Sequence, residues 1–404
     1  MPNRDHIFSS YESVKDAQEQ LYYELHRHPE LSMQEERTRG VIVEKLADAG
    51  YAVVEIGGGV VGVLENGDGP TVMLRADFDG LPVKEETGLD YASTATAIDA
   101  NGDLVPVMHA CGHDVHVASL IAMAEMMAAN KDSWSGTLEL LFQPGEEIAA
   151  GAKAMVDDGI VDAIPRPDVA FGQHVMCGLA PAGHVAVISG KSFSTSVNVF
   201  ITLYGQGSHG SMPHLSIDPV VLASSVVQRL QTIVARELSP HEFGVVTVGT
   251  IRAGSRPNVI PETAHLGLNV RAYDEAVRDK TIESIRRIVE GECAASGSPR
   301  EPDFEFSGVY PLVDNDAEVT ERIKDAFIDA FGGDRVHTPG PATGSEDFPY
   351  IPDAFGTPYC YWAFSGAPEG MEIPNHSSKF APVVQPTLET GAKALVAAAC
   401  AYLK

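Results

Sequence analysis

Three stretches decide the fold of this chain: TVMLR at residues 71–75, DVHVASLIAMAEMMAAN at 114–130 and TLELLF at 137–142. The first and third are short apolar runs of strand-forming residues, and each leads into Asp, Gly or Pro, as buried strands do. The middle stretch has the length and the apolar spacing of a helix. A strand, a helix and a strand in this order predict an α/β layer with a largely parallel sheet.

Segments on both sides of these stretches extend the same layer. Apolar runs predict further strands at 60–64, 169–174 and 358–364. Amphipathic spacing predicts helices at 10–28, 34–49, 317–331 and 388–403. The predicted fold class is therefore α/β, with a mixed, largely parallel sheet flanked by helices.

The pattern changes between residues 190 and 309. Val197, Val199, Ile201 and Leu203 alternate with more polar positions, which is typical of a strand with one solvated face. The segments that follow have the order β-α-β-β-α-β of a small ferredoxin-like α+β unit. We therefore predict one domain from residues 1–189 and 310–404, with a second domain, 190–309, inserted into it.

Composition excludes several classes of function. The 404 residues include 28 basic and 56 acidic side chains, which gives a net charge of −28. Such a chain is repelled by phosphate backbones and anionic lipid, so we expect neither nucleic acid nor a membrane as a partner. The N-terminal MPNRDHIFSSYESV has no apolar run of a secretion signal. The five scattered cysteines do not suggest a disulfide framework, and we expect a cytoplasmic protein.

The densest group of reactive side chains is MHACGHDVH at residues 108–116. Its histidines and Cys111, with Gly112 allowing a sharp turn, suit a metal ion of borderline softness. A helix cap with incidental histidines is the alternative. No second close pair such as Cys-x-x-Cys is present, so a metal ion held here would need ligands from distant segments, as in catalytic sites.

Further candidates follow the predicted strands. Glu146 and Glu147 come after the strand at 137–142, and adjacent carboxylates in a pocket need a cation to offset their repulsion. Two solvated loop glutamates would be the alternative. His174 and His376 are lone histidines, which are more often ordinary polar residues than ligands. A pair of aspartates in RADFDGLP at 75–82 indicates either a turn or carboxylates that orient a ligand histidine.

These blocks together resemble a known family. They occur in the following order over nearly the whole chain: Arg75–Pro82, Met108–His116, Gln143–Glu147, Gly172–Val175, His209–His214 and Asn375–Phe380. The combination resembles the dinuclear-metal aminoacylase/carboxypeptidase family (peptidase family M-20). More narrowly, it resembles the amidohydrolase branch, with hippurate hydrolases, N-acyl-amino-acid hydrolases and plant auxin-conjugate hydrolases. The resemblance implies a zinc-exopeptidase-like catalytic domain and, at 190–309, a lid and dimerisation domain.

The resemblance also implies roles for particular residues. The implied ligands of two metal ions are Cys111, His113, Glu147, His174 and His376. Cys111 matches a position where other branches have a bridging aspartate, which implies that it bridges the two ions. Glu146 matches the general acid/base. Asp79 is expected to orient a ligand histidine. Asp77 stands where other branches have a ligand histidine, and its own role as a ligand is doubtful.

The inserted domain supplies three more residues by resemblance. His209 matches a histidine that reaches the active site of the partner subunit, which implies a homodimer formed through the lid domain. Asn258 and Arg271 match residues that hold the carboxylate of the substrate. Ser208 stands where the family commonly has glycine, a change that we expect to be tolerated.

The implied activity is hydrolysis of N-acyl-L-amino acids to a carboxylic acid and a free amino acid. Two divalent metal ions per subunit would activate the water. The Cys111 thiolate favours zinc, while manganese, cobalt and nickel remain alternatives. A metallo-dipeptidase is a close alternative, and a non-catalytic small-molecule binding protein on the same scaffold is a more distant one. The acyl group and the amino-acid side chain are left open.

Overall fold

The computed structural model describes residues 2–368 and 370–404, which form two compact units. The first unit consists of the chain up to Ser192 with Asp314–Pro341 and Asp347–Lys404, and the second consists of Phe193–Val313 with Ala342–Glu346. The predicted boundaries, after residue 189 and before residue 310, lie a few residues from the structural ones.

The segment Ala342–Glu346 belongs to the second unit, whereas the sequence-based division assigned it to the first. It is held in the second unit by backbone contacts, because Ala342 forms a bridge with Phe193 and the Gly344 carbonyl accepts a 2.8 Å hydrogen bond from the Ser194 N–H. A segment this short has no periodic pattern from which its partner could be predicted.

The helices of the described chain follow in order. They are α1 (Arg4–Ser9), α2 (Tyr11–Arg27), α3 (Glu36–Asp48), α4 (His113–Ala129), α5 (Gly151–Asp157), α6 (Ile160–Ala163), α7 (Pro219–Leu230), α8 (Glu275–Ser296), α9 (Ala317–Phe331), α10 (Tyr350–Phe355) and α11 (Val384–Tyr402). The described residues contain no helix with both the length and the apolar character that a membrane span requires.

The strands are likewise numbered along the chain. They are β1 (Ala52–Ile56), β2 (Gly59–Asn66), β3 (Thr71–Asp77), β4 (Thr96–Ile98), β5 (Leu104–Pro106), β6 (Gly136–Gln143), β7 (Val169–Pro181), β8 (Val185–Ala186), β9 (Gly190–Phe193), β10 (Thr195–Tyr204), β11 (Ser208–His209), β12 (Gly244–Ala253), β13 (Val259–Ile260), β14 (Thr263–Ala272), β15 (Asp303–Tyr310), β16 (Val313–Asn315), β17 (Val336–His337) and β18 (Tyr359–Ala367).

The first unit is built on a sheet with the strand order β1-β2-β6-β3-β7-β18-β8-β17. The neighbours β6, β3, β7 and β18 run parallel, whereas β1 and β2 join antiparallel at one side. The predicted mixed, largely parallel sheet is therefore confirmed. Helix α4 is apolar on all sides and almost wholly buried, as expected of a helix in the core.

Strands β3 and β6 end at the same edge of this sheet. Asp77, the last residue of β3, pairs with Gln143, the last residue of β6. Parallel sheets place ligand sites beyond the carboxyl ends of their strands, so the residues that follow β3 and β6 are well placed for chemistry.

The second unit contains an antiparallel sheet with the order β12-β14-β10-β15, and α7 and α8 pack against it. This is the β-α-β-β-α-β unit predicted from the sequence. The inward positions Val197, Val199, Ile201 and Leu203 are buried, as their alternation predicted. The helical segment before β12 is interrupted, because α7 ends at Leu230 and a π-helical turn follows from Ile233.

Candidate metal centre

The centre begins at the sharp turn into α4. Gly112 has a φ of +85°, a backbone conformation that favours glycine, and a Cβ added to it would lie 2.3 Å from Val175 Cγ1. Glycine at this position therefore allows the loop to approach β7 closely. Its neighbours Cys111 and His113 both contribute to the same buried group of side chains.

The structure brings the predicted ligand residues of the first unit together. The ligand atoms of Cys111, His113 and His174 lie within 4.8 Å of one another. Those of Cys111, Glu147 and His376 satisfy the same limit. Cys111 thus belongs to both groups, an arrangement in which one sulfur atom can serve two adjacent ions.

Two of the histidines are oriented by bonds to Nδ1. His113 Nδ1 lies 3.0 Å from Asp79 Oδ1, and His174 Nδ1 lies 2.8 Å from the Val175 carbonyl oxygen. An Nδ1–H that donates to such an acceptor leaves Nε2 bare, which is the usual state of a metal-binding histidine. His174 Nε2 accordingly lies 3.3 Å from Cys111 Sγ.

Asp79 also contacts the carboxylate side of the centre. Its Oδ2 accepts hydrogen bonds from Ser32 Oγ at 2.6 Å and from the Glu147 N–H at 3.0 Å. One buried carboxylate therefore fixes both the His113 ring and the backbone of Glu147.

Several atoms of the group have unfilled bonding capacity. Among the described residues, His113 Nε2 and Glu147 Oε1 are buried without a hydrogen-bond partner. A buried polar atom without a partner is unfavourable, and a bound cation would satisfy both atoms. Thiolate, imidazole and carboxylate are ligands that suit zinc and its neighbours in the periodic table, so the donor set fits divalent metal ions.

The electrostatics of the centre favour cations. Burial and the nearby Glu147 carboxylate raise the pKa of the Cys111 thiol. Hydrogen bonds to Cys111 and Glu147 raise the pKa of His376 to about 10. The Cys111 shift reflects burial first and the Glu147 charge second, and the His376 shift reflects its two acidic neighbours. A bound cation would offset these effects and hold Cys111 as a thiolate.

Glu146 lies beside this group. Gly145, with a φ of +55°, turns the chain directly after β6, and Glu146 follows with 6% of its surface exposed. Its carboxylate lies within 4.8 Å of the ligand atoms of His113 and Glu147. The two adjacent glutamates therefore both reach the centre, with Glu147 also contacting His376 at 3.3 Å.

Sequence reasoning missed two buried partners here. His116 Nδ1 lies 2.5 Å from Asp77 Oδ1, and Arg75 donates to the other oxygen of Asp77 at 2.7 Å. Burial alone would raise the pKa of Asp77, but Arg75 and the nearby His113 and His116 together hold it well below its usual value. The doubtful ligand Asp77 is thus already engaged by a guanidinium and an imidazole.

Asn375 is the other contact that the sequence did not predict. Its Nδ2 lies 3.3 Å from the carbonyl oxygens of Cys111 and Val175 and 3.6 Å from Cys111 Sγ. The neighbouring His376 adopts a φ of +65°. Asn375 stands in the Asn375–Phe380 block, but nothing in a single sequence shows that its amide joins two backbone segments.

The three remaining predicted residues lie in the second unit. His209 on β11 pairs with Val259, and the Gly210 N–H bonds to the Asn258 carbonyl at 2.8 Å, so His209 and Asn258 are close neighbours. His209 Nδ1 accepts a hydrogen bond from the Ser211 N–H at 3.1 Å, which leaves the ring proton on the exposed Nε2.

Arg271 lies on a different strand, β14. Its Nε donates to Asn269 Oδ1 at 2.9 Å, and one terminal nitrogen donates to the Thr343 carbonyl at 2.8 Å and lies 3.2 Å from Ser345 Oγ. Arg271 therefore ties β14 to the short segment Ala342–Glu346 within the second unit.

This fold and this group of side chains are those of a metallopeptidase-like hydrolase, and the chain belongs to peptidase family M20/M25/M40, whose family model matches residues 73–401. It is 35% identical over 388 residues to thermostable carboxypeptidase 1 of Saccharolobus solfataricus, covering 94% of each chain. It is also 35% identical over 340 residues to the hippurate hydrolase of Campylobacter jejuni, covering 82% of this chain and 84% of that protein.

A solved structure shares the fold. The YXEP protein of Bacillus subtilis, described as a dinuclear metal binding peptidase of the M20 family, matches with a TM-score of 0.77 and 26% identity. The match covers 96% of this chain and 98% of that one. The family resemblance inferred from the sequence blocks is thereby confirmed.

Proposed function

We propose that the protein is a metal-dependent amidohydrolase that cleaves N-acyl-L-amino acids into a carboxylic acid and a free amino acid. The observation that carries the proposal is the placement of Glu146 beside a set of thiolate, imidazole and carboxylate ligand atoms. A relative named hippurate hydrolase supports the substrate class, because hippurate is itself an N-acyl amino acid.

Cys111, His113, Glu147, His174 and His376 would hold two divalent ions, with Cys111 shared between them. When bound, such ions supply a water molecule of lowered pKa and polarise a carbonyl oxygen. The thiolate favours zinc over manganese, cobalt or nickel. All five cysteines are free, and Cys111 among them would be a ligand thiolate. Free thiols suit a reducing compartment, so we propose the cytoplasm as the location.

Glu146 would act as the general acid/base. Its carboxylate accepts a proton from the attacking water and returns it to the amine nitrogen as the amide bond breaks. Proximity to the ligand set matters, because a nearby cation keeps a buried carboxylate ionised before the reaction.

His209 would donate its Nε2–H to the oxygen that becomes negative in the transition state, a contact worth about 3–4 kcal/mol per well-placed donor. In a homodimer formed through the second unit, His209 would do so in the partner's site. Asn258 and Arg271 would bind the substrate carboxylate. An arginine there explains how an acidic protein accepts an anionic substrate.

A substrate panel tests the proposal. Metal-replete and chelator-treated protein are assayed against acetyl-, benzoyl- and branched-acyl amino acids, with release of free amine as the readout. We expect turnover with the metal-replete protein, loss of turnover after chelation and recovery when zinc is added back. Metal-replete protein that releases no amine from any member of the panel would exclude the proposed activity.

Glu146→Gln separates catalysis from binding. The amide keeps the shape of the side chain but accepts no proton, so we expect two bound zinc ions, unchanged substrate binding and a loss of kcat of about 100-fold or more. A non-catalytic binding protein would show no such difference. Substantial turnover by the variant would remove Glu146 from this role.

Cleavage of unblocked peptides is a second candidate, because a relative that covers 94% of this chain is named a carboxypeptidase. The same carboxylate-binding residues would accept a peptide C-terminus. Unblocked dipeptides in the panel distinguish the two activities. The comparison of kcat/KM between N-acyl amino acids and dipeptides decides which is dominant.

A further inference from the structure

His116 lies in the first turn of α4 and contacts β7, with 1% of its surface exposed and both of its ring nitrogens hydrogen-bonded. Nε2 accepts the backbone N–H of Val175 at 2.8 Å. Because an amide N–H only donates, Nε2 carries no proton, and the ring proton is on Nδ1. Nδ1 donates it to Asp77 Oδ1 at 2.5 Å. The tautomer of His116 is therefore fixed by the geometry.

This geometry argues against His116 as a metal ligand. Asp77, His113 and His116 place ligand atoms within 4.8 Å of one another and could be taken for a third group. However, ligation through Nε2 would leave the buried Val175 N–H without its acceptor, which is unfavourable. Asp77 is similarly engaged, with one oxygen bonded to His116 and the other to Arg75 at 2.7 Å.

The bond to Val175 replaces a strand neighbour. On its β3 side, the pairing of β7 runs from Val72–Val169 to Arg75–Gly172. Beyond that point the Val175 N–H bonds to the imidazole of His116 instead of a neighbouring strand.

The same residue, Val175, also orients a proposed ligand through its carbonyl group, on the other side of its Cα from the N–H. The Val175 carbonyl oxygen lies 2.8 Å from His174 Nδ1, and Asn375 Nδ2 lies 3.3 Å from that oxygen. With Val175 held from both sides, His174 Nε2 lies 3.3 Å from Cys111 Sγ. A change in the backbone at Val175 would move this carbonyl and turn the His174 ring away from Cys111.

We propose that His116 is a positioning residue, which directs His174 toward the metal centre by accepting the hydrogen bond of the Val175 N–H. The inference rests on the proposed function only in taking His174 as a ligand. It predicts that loss of the Val175 bond weakens the ion held by Cys111, His113 and His174 more than the ion held through Glu147 and His376.

His116→Asn tests the bond selectively. The shorter amide occupies the place of Nδ1 and can still reach Asp77, but it cannot reach the Val175 N–H. His116→Gln is the rescue variant, because its oxygen and nitrogen can replace Nε2 and Nδ1 together. His109→Leu is the matched control, since it removes another buried imidazole of the same segment that has no hydrogen-bond partner among the described residues.

The readout is binding of zinc, measured by competition with a chromophoric chelator and independent of hydrolysis. We expect two tightly bound equivalents in the wild-type protein, His116→Gln and His109→Leu. In His116→Asn one equivalent should stay tight and the other should weaken by about 10–100-fold. Circular dichroism checks that each variant is folded, and cobalt in place of zinc shows through its thiolate absorption whether Cys111 is still engaged.

The outcomes separate the two proposals. Wild-type affinities for both ions in folded His116→Asn would overturn the positioning role, and so would an equal weakening of both ions. Should His116→Asn not fold, a His116→Gln variant that folds but binds only one tight equivalent also overturns the role. Wild-type protein that binds no zinc would overturn the metal centre itself. Failure to cleave any N-acyl amino acid, with both ions bound, would affect only the proposed function.

Discussion

The buried carboxyl group of Glu139 should make the free energy of unfolding depend on pH. Glu139 lies on β6 with no exposed surface, and neither carboxylate oxygen has a hydrogen-bond partner among the described residues. Its strand neighbours are the apolar Val63 and Met73. Burial raises the pKa of Glu139 from the ordinary 4.5 to about 8. The buried acid is therefore mostly protonated at neutral pH.

The sign of the pH effect follows from the two pKa values. The unfolded chain releases the Glu139 proton near pH 4.5, whereas the folded protein keeps it up to about pH 8. The stability that depends on this proton is complete below pH 4.5 and is lost as the pH rises to about 8. At about 1.4 kcal/mol per pKa unit, the full loss is about 5 kcal/mol, of which about 4 kcal/mol falls between pH 5 and pH 9.

The assay compares the wild-type protein with Glu139→Leu, which is apolar, and Glu139→Gln, which is polar but does not ionise. Urea unfolding is followed by tryptophan fluorescence from pH 5 to pH 9. Both tryptophans, Trp134 and Trp362, are buried in the first unit, so the signal reports on the unit that contains Glu139. The free energy of unfolding of the wild-type protein, relative to each variant, should fall by about 4 kcal/mol across this range. A difference that does not vary with pH would refute the burial of an uncharged acid at this position.

Three further predictions follow from other buried contacts. Gly112→Ala should lower the free energy of unfolding by about 2–4 kcal/mol, because the left-handed backbone and the contact with Val175 both oppose a Cβ. The measurement is urea unfolding. Gly40→Ala is the control, since a Cβ at that position meets no atom within 4 Å. Burial alone would lower the pKa of His26, but hydrogen bonds to Asp114 and Glu85 raise it to about 9. The stabilising effect of the charged His26 is therefore complete below pH 6.5 and is lost as the pH rises through 9. The difference in free energy of unfolding between the wild-type protein and His26→Gln should disappear over that range. Asp79→Ala should weaken zinc binding by about 10–100-fold in chelator competition, and unchanged affinity would contradict its orienting role.

Much of the first unit was predictable, because its central strands are apolar runs and its helices have apolar residues at helical spacing. The strand predicted at 71–75 extends by two residues to Asp77, and the helix predicted at 317–331 has those bounds in the structure. The short strands β8 and β17 were missed, because a two-residue strand is too short to show an alternating pattern. The apolar run TLELLF predicts a strand in spite of its one acidic residue, but it does not show that the Glu139 side chain is buried.

The ligand residues of the candidate centre were predicted from the blocks that they occupy, and the structure brings those of the first unit together. The supporting contacts were not predictable from one sequence. His116 stands in the same histidine-rich segment as His113, yet only the three-dimensional arrangement shows that it faces the Val175 amide. Spacing indicates which residues can share a site, but not which one bonds to the backbone of a distant strand.

The path of the chain through the second unit limits how that unit can be separated. Residues 193–313 form most of it, but the chain returns to it at 342–346 after an excursion through the first unit. A recombinant fragment ending at 313 would lack the Thr343 carbonyl and the Ser345 hydroxyl that contact Arg271. Residues 193–313 are therefore not a complete unit, and a chimera with a relative requires the exchange of 193–313 and 342–346 together.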